Sequence, residues 1–167
     1  FIDYAYKYRT DFMDIYMGAN CKFFVGTSNG LTSIPRLYKK PIAWVNYISM
    51  ERVHAWDENS MFILKKLWSK PEKRLLKFNE ILRSGIGDFR HGSQFEESGI
   101  EIIDNTPEEI CDLTMEMDDR LNGVWIENDE DKELQQRFWS LYKKNEINKV
   151  FRARIGAKFL RENSDLL

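Results

Sequence analysis

Small polar residues gathered between two apolar runs are where this sequence could do chemistry. Gly26-Thr27-Ser28-Asn29-Gly30 follows the apolar run Cys21 to Val25 and precedes a short helical stretch, Leu31 to Tyr38. A helix N-terminus behind such a loop presents N–H groups and a positive dipole end, which attract phosphate. Gly26 and Gly30 would let the backbone approach a ligand closely. Thr27, Ser28, Asn29 and Thr32 add hydroxyl and amide groups. A second apolar run, Ile42 to Val45, ends at Asn46, whose side chain is expected to face the same cleft. The candidate anion-binding set is therefore Gly26, Thr27, Ser28, Asn29, Gly30, Thr32 and Asn46. The spacing is neither that of a P-loop nor a full Gly-x-Gly-x-x-Gly fingerprint. An ordinary βα turn with a helix cap is the competing reading.

Other residues are weaker candidates. His54 and His91 lie in loop-like stretches without partners at metal-ligand spacing, so no metal site is expected. Asp129-Glu130-Asp131 contains an Asp-x-Asp pattern suited to a divalent cation, but it opens a helix, where acids favour the dipole anyway. Asp11 and Asp14, preceded by Arg9, are read chiefly as a helix start. Lys65 and Lys66 could reach a phosphate, although a solvated pair is the default. Trp44, Trp56, Trp68, Trp125 and Trp139 are expected in the core. Cys21 and Cys111 are read as two buried free thiols of a reducing compartment.

The elements that must position the loop follow from periodicity and caps. Thr10 can cap a helix running to Asn20, with Phe12, Ile15, Tyr16 and Ala19 on one face. Helix, strand, small-residue loop, helix and strand then make a βαβ unit, which implies parallel strands. Pro35 is tolerated only in the first turn of its helix. Phe78 to Arg83 reads as a short helix ending at Gly85, and Gly85 to Ser98 as loop. Gly99 to Ile103 is a third strand candidate. Thr106-Pro107-Glu108-Glu109 is a strong helix start, with a capping box and Pro at the first helical position. Ile110, Leu113, Thr114, Met117 and Leu121 share one face of that helix, and Gly123 ends it. Glu130 to Lys144 is a further amphipathic helix, and Ala153 to Leu160 a short docking helix.

The chain has 167 residues, of which 43% are hydrophobic and 14% aromatic, enough for one domain with a core. We read residues 1–167 as a single domain with 146–167 as a C-terminal tail. The formal net charge of −2 disfavours a nucleic-acid partner. The charge is unevenly spread: residues 1–95 carry 15 Lys/Arg and 9 Asp/Glu (net +6), residues 96–167 carry 10 and 18 (net −8). A mildly basic front half suits a small anionic ligand. No apolar run approaches a membrane span. The first residue is Phe1 rather than Met, and the chain is expected to be a piece of something longer.

Several runs together resemble a known family. They are Arg9-Thr10-Asp11-Phe12-Met13-Asp14-Ile15-Tyr16, Cys21 to Gly30, Ile34-Pro35, and Pro41-Ile42-Ala43-Trp44-Val45-Asn46. Asn105 to Ile110, Glu116-Met117, Arg120 to Gly123 with Trp125, and Ile155 to Arg161 extend the match over nearly the whole chain. It resembles the C-terminal donor-binding domain of a bacterial glycosyltransferase family of the GT-B type. The resemblance implies an α/β fold, a Rossmann-like open parallel sheet of three or four strands flanked by helices, facing an N-terminal domain of the same protein across a cleft. It implies a nucleotide-sugar donor held as substrate, its diphosphate on the small-residue loop, a glycan or related acceptor, and neither a metal nor another cofactor. It implies a location in the cytoplasm or at the inner face of the membrane. The catalytic base of inverting members generally comes from the other domain, so none is assigned. The terminal segment is expected to cross back to that domain, leaving Ile155, Phe159 and Leu160 exposed. The alternative is a non-catalytic Rossmann-like nucleotide-binding or interaction module. A nicotinamide-dependent oxidoreductase fits worse, because the second strand ends in Asn46 rather than an acid.

Overall fold

A computed structural model describes residues 2–53, 56–142 and 149–167. Its centre is a parallel sheet in the order β1 (Phe24–Gly26), β2 (Ile42–Tyr47), β3 (Met61–Leu64) and β7 (Arg154–Ile155). All four residues of β3 are buried, as expected of an inner strand covered on both faces. The chain is thus α/β, with a four-stranded parallel sheet flanked by helices, and this arrangement is compatible with a Rossmann-like fold. β1 and β2 are joined through α3 (Ser33–Leu37), which is the expected βαβ unit. Pro35 sits in the first turn of α3.

β3 does not end the extended chain. After Lys65 it re-enters as β4 (Lys66–Ser69), the centre of a second, antiparallel sheet with β5 (Arg74–Leu75) and β6 (Ile100–Ile103). The third strand candidate therefore exists, but it pairs antiparallel with β4 and not with the parallel sheet. Its alternation of exposed Glu101 with buried Ile100 suits a half-covered sheet. α4 (Phe78–Ser84) stops at Gly85, whose φ of 78° only glycine adopts freely. The stretch expected to be loop after it contains a 3₁₀ turn, Ile86–Asp88, and α5 (Gly92–Glu97).

At the N-terminus a single helical turn, α1 (Tyr4–Lys7), precedes the next helix. α2 (Asp11–Asn20) is capped as expected, the Thr10 hydroxyl accepting from the Met13 N–H at 3.1 Å. Its apolar face is largely open: Phe12, Ile15 and Tyr16 are exposed. It docks through Gly18, where an added Cβ would lie 2.8 Å from Ile34.

α6 (Pro107–Leu121) packs on β2 and β3, burying Leu113 and Met117. Its capping box is formed: Thr106 Oγ1 accepts from Glu109 N, and Glu109 Oε2 accepts from Thr106 N. α7 (Asp129–Ser140) buries Leu134 and Phe138. The last part of the helix expected there, Lys143-Lys144, lies outside the described residues. α8 (Ala157–Glu162) packs against α6 and α7. The terminal segment is therefore part of this core, and the exposure expected of it is wrong: Ile155, Phe159 and Leu160 are 0%, 3% and 0% exposed. The reason is that β7 adds an edge strand beside β3 and turns the following helix inward.

Two composition-based expectations also need correcting. Cys111 is exposed on α6 and Cys21 only half-buried, because neither faces the sheet's inner strands. Trp56 is exposed, its ring 5.5 Å from the Arg36 guanidinium, a cation–π contact that places it at the surface. Trp44 is buried, and Trp68, Trp125 and Trp139 are partly buried.

Candidate functional site

Parallel strands all end on one side, and there the side chains that follow them converge. A cavity of about 660 Å³ opens at the carboxyl ends of β1, β2 and β3. Its walls are Thr27 and Ser28 after β1, Asn46 and Tyr47 at the end of β2 with Ile48, Ser49 and Arg52 after it, Lys65 after β3, and Asp104 after β6.

Of the seven residues expected from sequence, Thr27, Ser28 and Asn46 line this cavity. The N–H groups of Thr27 and Ser28 have no bonded acceptor among the described residues, and both residues line the opening. Asn29 and Thr32 instead order the loop behind them. Asn29 Oδ1 accepts from Thr32 N at 3.2 Å, Thr32 Oγ1 donates to Asn29 O at 2.6 Å, and Asn29 Nδ2 donates to Thr27 Oγ1 at 3.3 Å. Gly26 ends β1, where an added Cβ would meet the Phe24 ring at 2.6 Å. Gly30 has open space around its α-carbon. α3 spans only five residues, so its dipole contributes less than the longer helix expected here.

Asn46 reaches the cavity in an unusual way. Its φ is 53°, the left-handed region that costs other residues most and Asn least. The register between β2 and β3 shifts between Trp44 and Tyr47, so the chain kinks there. Asn46 N donates to Asn105 Oδ1 at 2.6 Å, and Asn46 Oδ1 accepts from Asn105 N at 2.7 Å. The Asn46 carboxamide oxygen is thereby committed to the protein.

Sequence reasoning missed Arg52, Asp104, Tyr47 and Ser49, and left Lys65 as a secondary candidate. Lys65 Nζ lies 2.6 Å from Asp104, with side chains 23% and 69% exposed. Arg52 Nε donates to Asp88 at 2.6 Å, which holds the Asp88 carboxyl below its usual range. The Tyr47 hydroxyl donates to the Arg52 carbonyl at 2.9 Å, and burial pushes its pKa up to about 12. Two cations, Lys65 and Arg52, and four hydroxyl-bearing residues, Thr27, Ser28, Tyr47 and Ser49, thus border one opening, with Asp104 as the carboxylate on its wall. Such a site suits an anion carrying polar substituents. The periodic signal could not find Arg52, which sits in a 3₁₀ turn, Met50–Arg52.

The remaining candidates have structural work. Lys66 bonds Glu109 at 2.8 Å, away from the cavity walls. Asp14 accepts from Tyr4 and Arg9, which holds its carboxyl low. Asp129 pairs with Lys132 at 2.9 Å and buried Asp131 with Arg161, so the two carboxylates of the Asp-x-Asp pattern point to different partners. The N–H of His91 is held by Gln94 at the start of α5. His54 lies outside the described residues. Among the described residues no group of three His, Cys, Asp or Glu is placed to hold a metal ion. No helix is long and apolar enough to cross a membrane.

No family model, curated protein or solved structure matches this chain.

Proposed function

We propose that this chain is the donor-binding part of a glycosyltransferase of the GT-B type, holding a nucleotide sugar whose sugar passes to a glycan or related acceptor. The observation that carries the reading is the cavity at the carboxyl edge of the parallel sheet, bordered by Thr27, Ser28, Lys65 and Arg52. As the glycosidic bond breaks, negative charge develops on the departing diphosphate. Fixed N–H groups at Thr27 and Ser28, with Lys65 and Arg52 nearby, would stabilise that charge without reorganising. The resemblance of the loop, the Asn105-Thr106-Pro107-Glu108-Glu109-Ile110 run and the terminal segment supports the same reading. The domain opposite the cavity would supply the acceptor side and any base, and the cytoplasm or the inner membrane face would be the setting.

The test is calorimetric titration with UDP, GDP, CMP and their common sugars, alongside thermal melts. One nucleotide should bind and raise the melting temperature by mass action. Ser28→Glu, which places a carboxylate at the cavity wall, should abolish that binding while leaving the melting temperature of the free protein unchanged. Binding that survives Ser28→Glu would remove the cavity from the reading. Nucleotide binding without sugar transfer, in a protein carrying the facing domain, would favour a non-catalytic nucleotide-binding module.

A further inference from the structure

We infer that Asn105 is a positioning residue that fixes three walls of the cavity through a single carboxamide. Two walls continue from its backbone bonding partners, and the third, Asp104, directly precedes Asn105 itself. Asn105 Oδ1 accepts from Asn46 N, and residues 47–49 continue from there along the cavity. Asn105 Nδ2 donates to Leu64 O at 2.8 Å, and Lys65 is the next residue. Asp104, which pairs with Lys65, directly precedes Asn105. The backbone N–H of Asn105 donates in turn to Asn46 Oδ1, closing a reciprocal pair between residues 59 positions apart.

Asn105 and its two backbone partners sit where regular structure is interrupted. Asn46 lies at the kink of β2, Leu64 ends β3, and Asn105 stands between β6 and α6. The β2–β3 ladder resumes only at Tyr47 and Leu64, beyond the kink, so Asn46 and Asn105 are joined to it by side-chain bonds. Asn105 is 7% exposed, so its bonds do not compete with bulk water. Nδ2 also lies 3.3 Å from Glu109 Oε2, and Glu109 pairs with Lys66, which anchors the group to α6 and β4. One further bond, Lys65 N to Tyr47 O at 2.8 Å, ties two of the walls directly. The left-handed backbone of Asn46 is what aims its N–H and carboxamide at Asn105 together. Asn105 itself is not among the residues that border the cavity. It acts through Lys65, Asp104 and the 47–49 wall.

The consequence for a ligand rests on the donor-binding reading above, whereas the consequence for the walls does not. The experiment measures both on the whole chain, using Asn105→Ala, Asn46→Gly and Asn46→Asp. Asn46→Gly keeps the left-handed backbone and removes only the carboxamide, so it reports even if Asn105→Ala fails to fold. Amide hydrogen exchange is read first, without ligand. Asn105→Ala and Asn46→Gly should speed exchange at residues 46, 65 and 105 by tenfold or more, while amides of α7 and α8 keep their protection. Asn46→Asp retains an acceptor for Asn105 N and should restore protection. Unchanged exchange at the three positions, or a uniform loss across the chain, would overturn the inference. Affinity is read second, for whichever of UDP, GDP or CMP binds the parent chain. A tenfold or greater loss in Asn105→Ala at unchanged α7 and α8 protection is expected, and parental affinity there would also overturn it. If none of the three nucleotides binds the parent, the donor-binding reading fails and the exchange result still decides the role of Asn105.

Discussion

The helical layer and the carboxyl edge of the parallel sheet use the same charged residue types differently. In the layer, Glu116 is 3% exposed and accepts from Ala157 N at 2.7 Å and from Arg120 Nε at 2.9 Å. Arg120 also pairs with Glu127 and stacks on Trp125, 4.9 Å from its ring centroid. Asp131 is likewise buried against Arg161, and Lys158 bonds Asp112. Glu116 and Asp131 are buried, and together with the Lys158–Asp112 pair they link α8 to α6 and α7. At the sheet edge, Lys65 and Arg52 each have one carboxylate partner that is itself well exposed, and both cations border an opening. Counting charge along residues 96–167 therefore says little about function, because Glu116 and Asp131 are buried against cations of the same layer. The excess of cations in residues 1–95 includes the ones that face a cavity.

The largest effect should come from the layer. Glu116→Ala leaves the Ala157 N–H and the Arg120 guanidinium without their shared acceptor. Breaking such a buried pair from one side costs about 3–5 kcal/mol. Urea denaturation should show the midpoint falling with the slope unchanged. Lys65→Ala, measured the same way, should cost no more than about 1 kcal/mol, since its partner Asp104 is largely solvated. Equal losses in the two variants would erase the distinction between the regions.

Alkali probes the boundary between them. Burial raises the Tyr47 pKa to about 12, against 10 for an ordinary tyrosine, with Arg36 and Arg52 opposing the shift. A folded-state pKa above the unfolded one gives a contribution that is complete below pH 10 and disappears as pH rises through about 12. Over that window each unit should remove up to about 1.4 kcal/mol. Tyr47→Phe keeps the ring and drops the hydroxyl, so its stability curve should stay flatter from pH 10 to 12. A parent and a variant that decline in parallel there would show that Tyr47 does not titrate on unfolding.

How much of this was legible in the sequence divides along the same line. The α6 start was legible in full, because Thr106, Pro107 and Glu109 act within four residues of one another. The β1–loop–α3–β2 unit was legible because turn residues and apolar runs are local signals, and Thr27 and Ser28 came with it. Arg52 and Asp104 were not, since they join the cavity through strand ends far apart in sequence. The break at Lys65, which divides one extended stretch between two sheets, has no periodic signature. The buried terminal segment was misjudged because its apolar face is equally consistent with any partner, and β7 beside β3 decides which. Asn46 lines the cavity, and its carboxamide oxygen accepts from Asn105 N, a partner 59 positions away that no local signal reveals.

At the cavity the expected effect is smaller in free energy and larger in binding. Lys65→Ala should weaken the nucleotide that binds the parent by about tenfold, or about 1.4 kcal/mol, as one charge-assisted contact is lost. Lys66→Ala is the control on the neighbouring residue, whose ammonium is turned to Glu109. It should lower stability through the Glu109 network and leave affinity unchanged. Calorimetry on both variants separates the two lysines, and a reversal of their order would reassign the cation.

The smallest effect comes from acid, and it separates two glutamates by sign. Glu80 is held down to about 2, first by the Arg74 hydrogen bond and then by the Lys77 N–H. Its depressed folded-state pKa gives a contribution present above the ordinary value of 4.5 and lost as pH falls through about 2. Because its side chain is 38% exposed, solvent screening limits that contribution to less than about 1 kcal/mol. Glu116 runs the other way. Burial raises its pKa above 4.5, with Ala157 N and Arg120 opposing, so its contribution is complete below 4.5 and shrinks as pH rises. The two terms act in adjacent windows, that of Glu116 above pH 4.5 and that of Glu80 below it. Glu80→Gln removes the acid-labile one, so its melting temperature should fall by less than the parent's between pH 4.5 and 2. A steeper fall than the parent's would place the Arg74–Glu80 pair among contacts that the exposed surface does not hold.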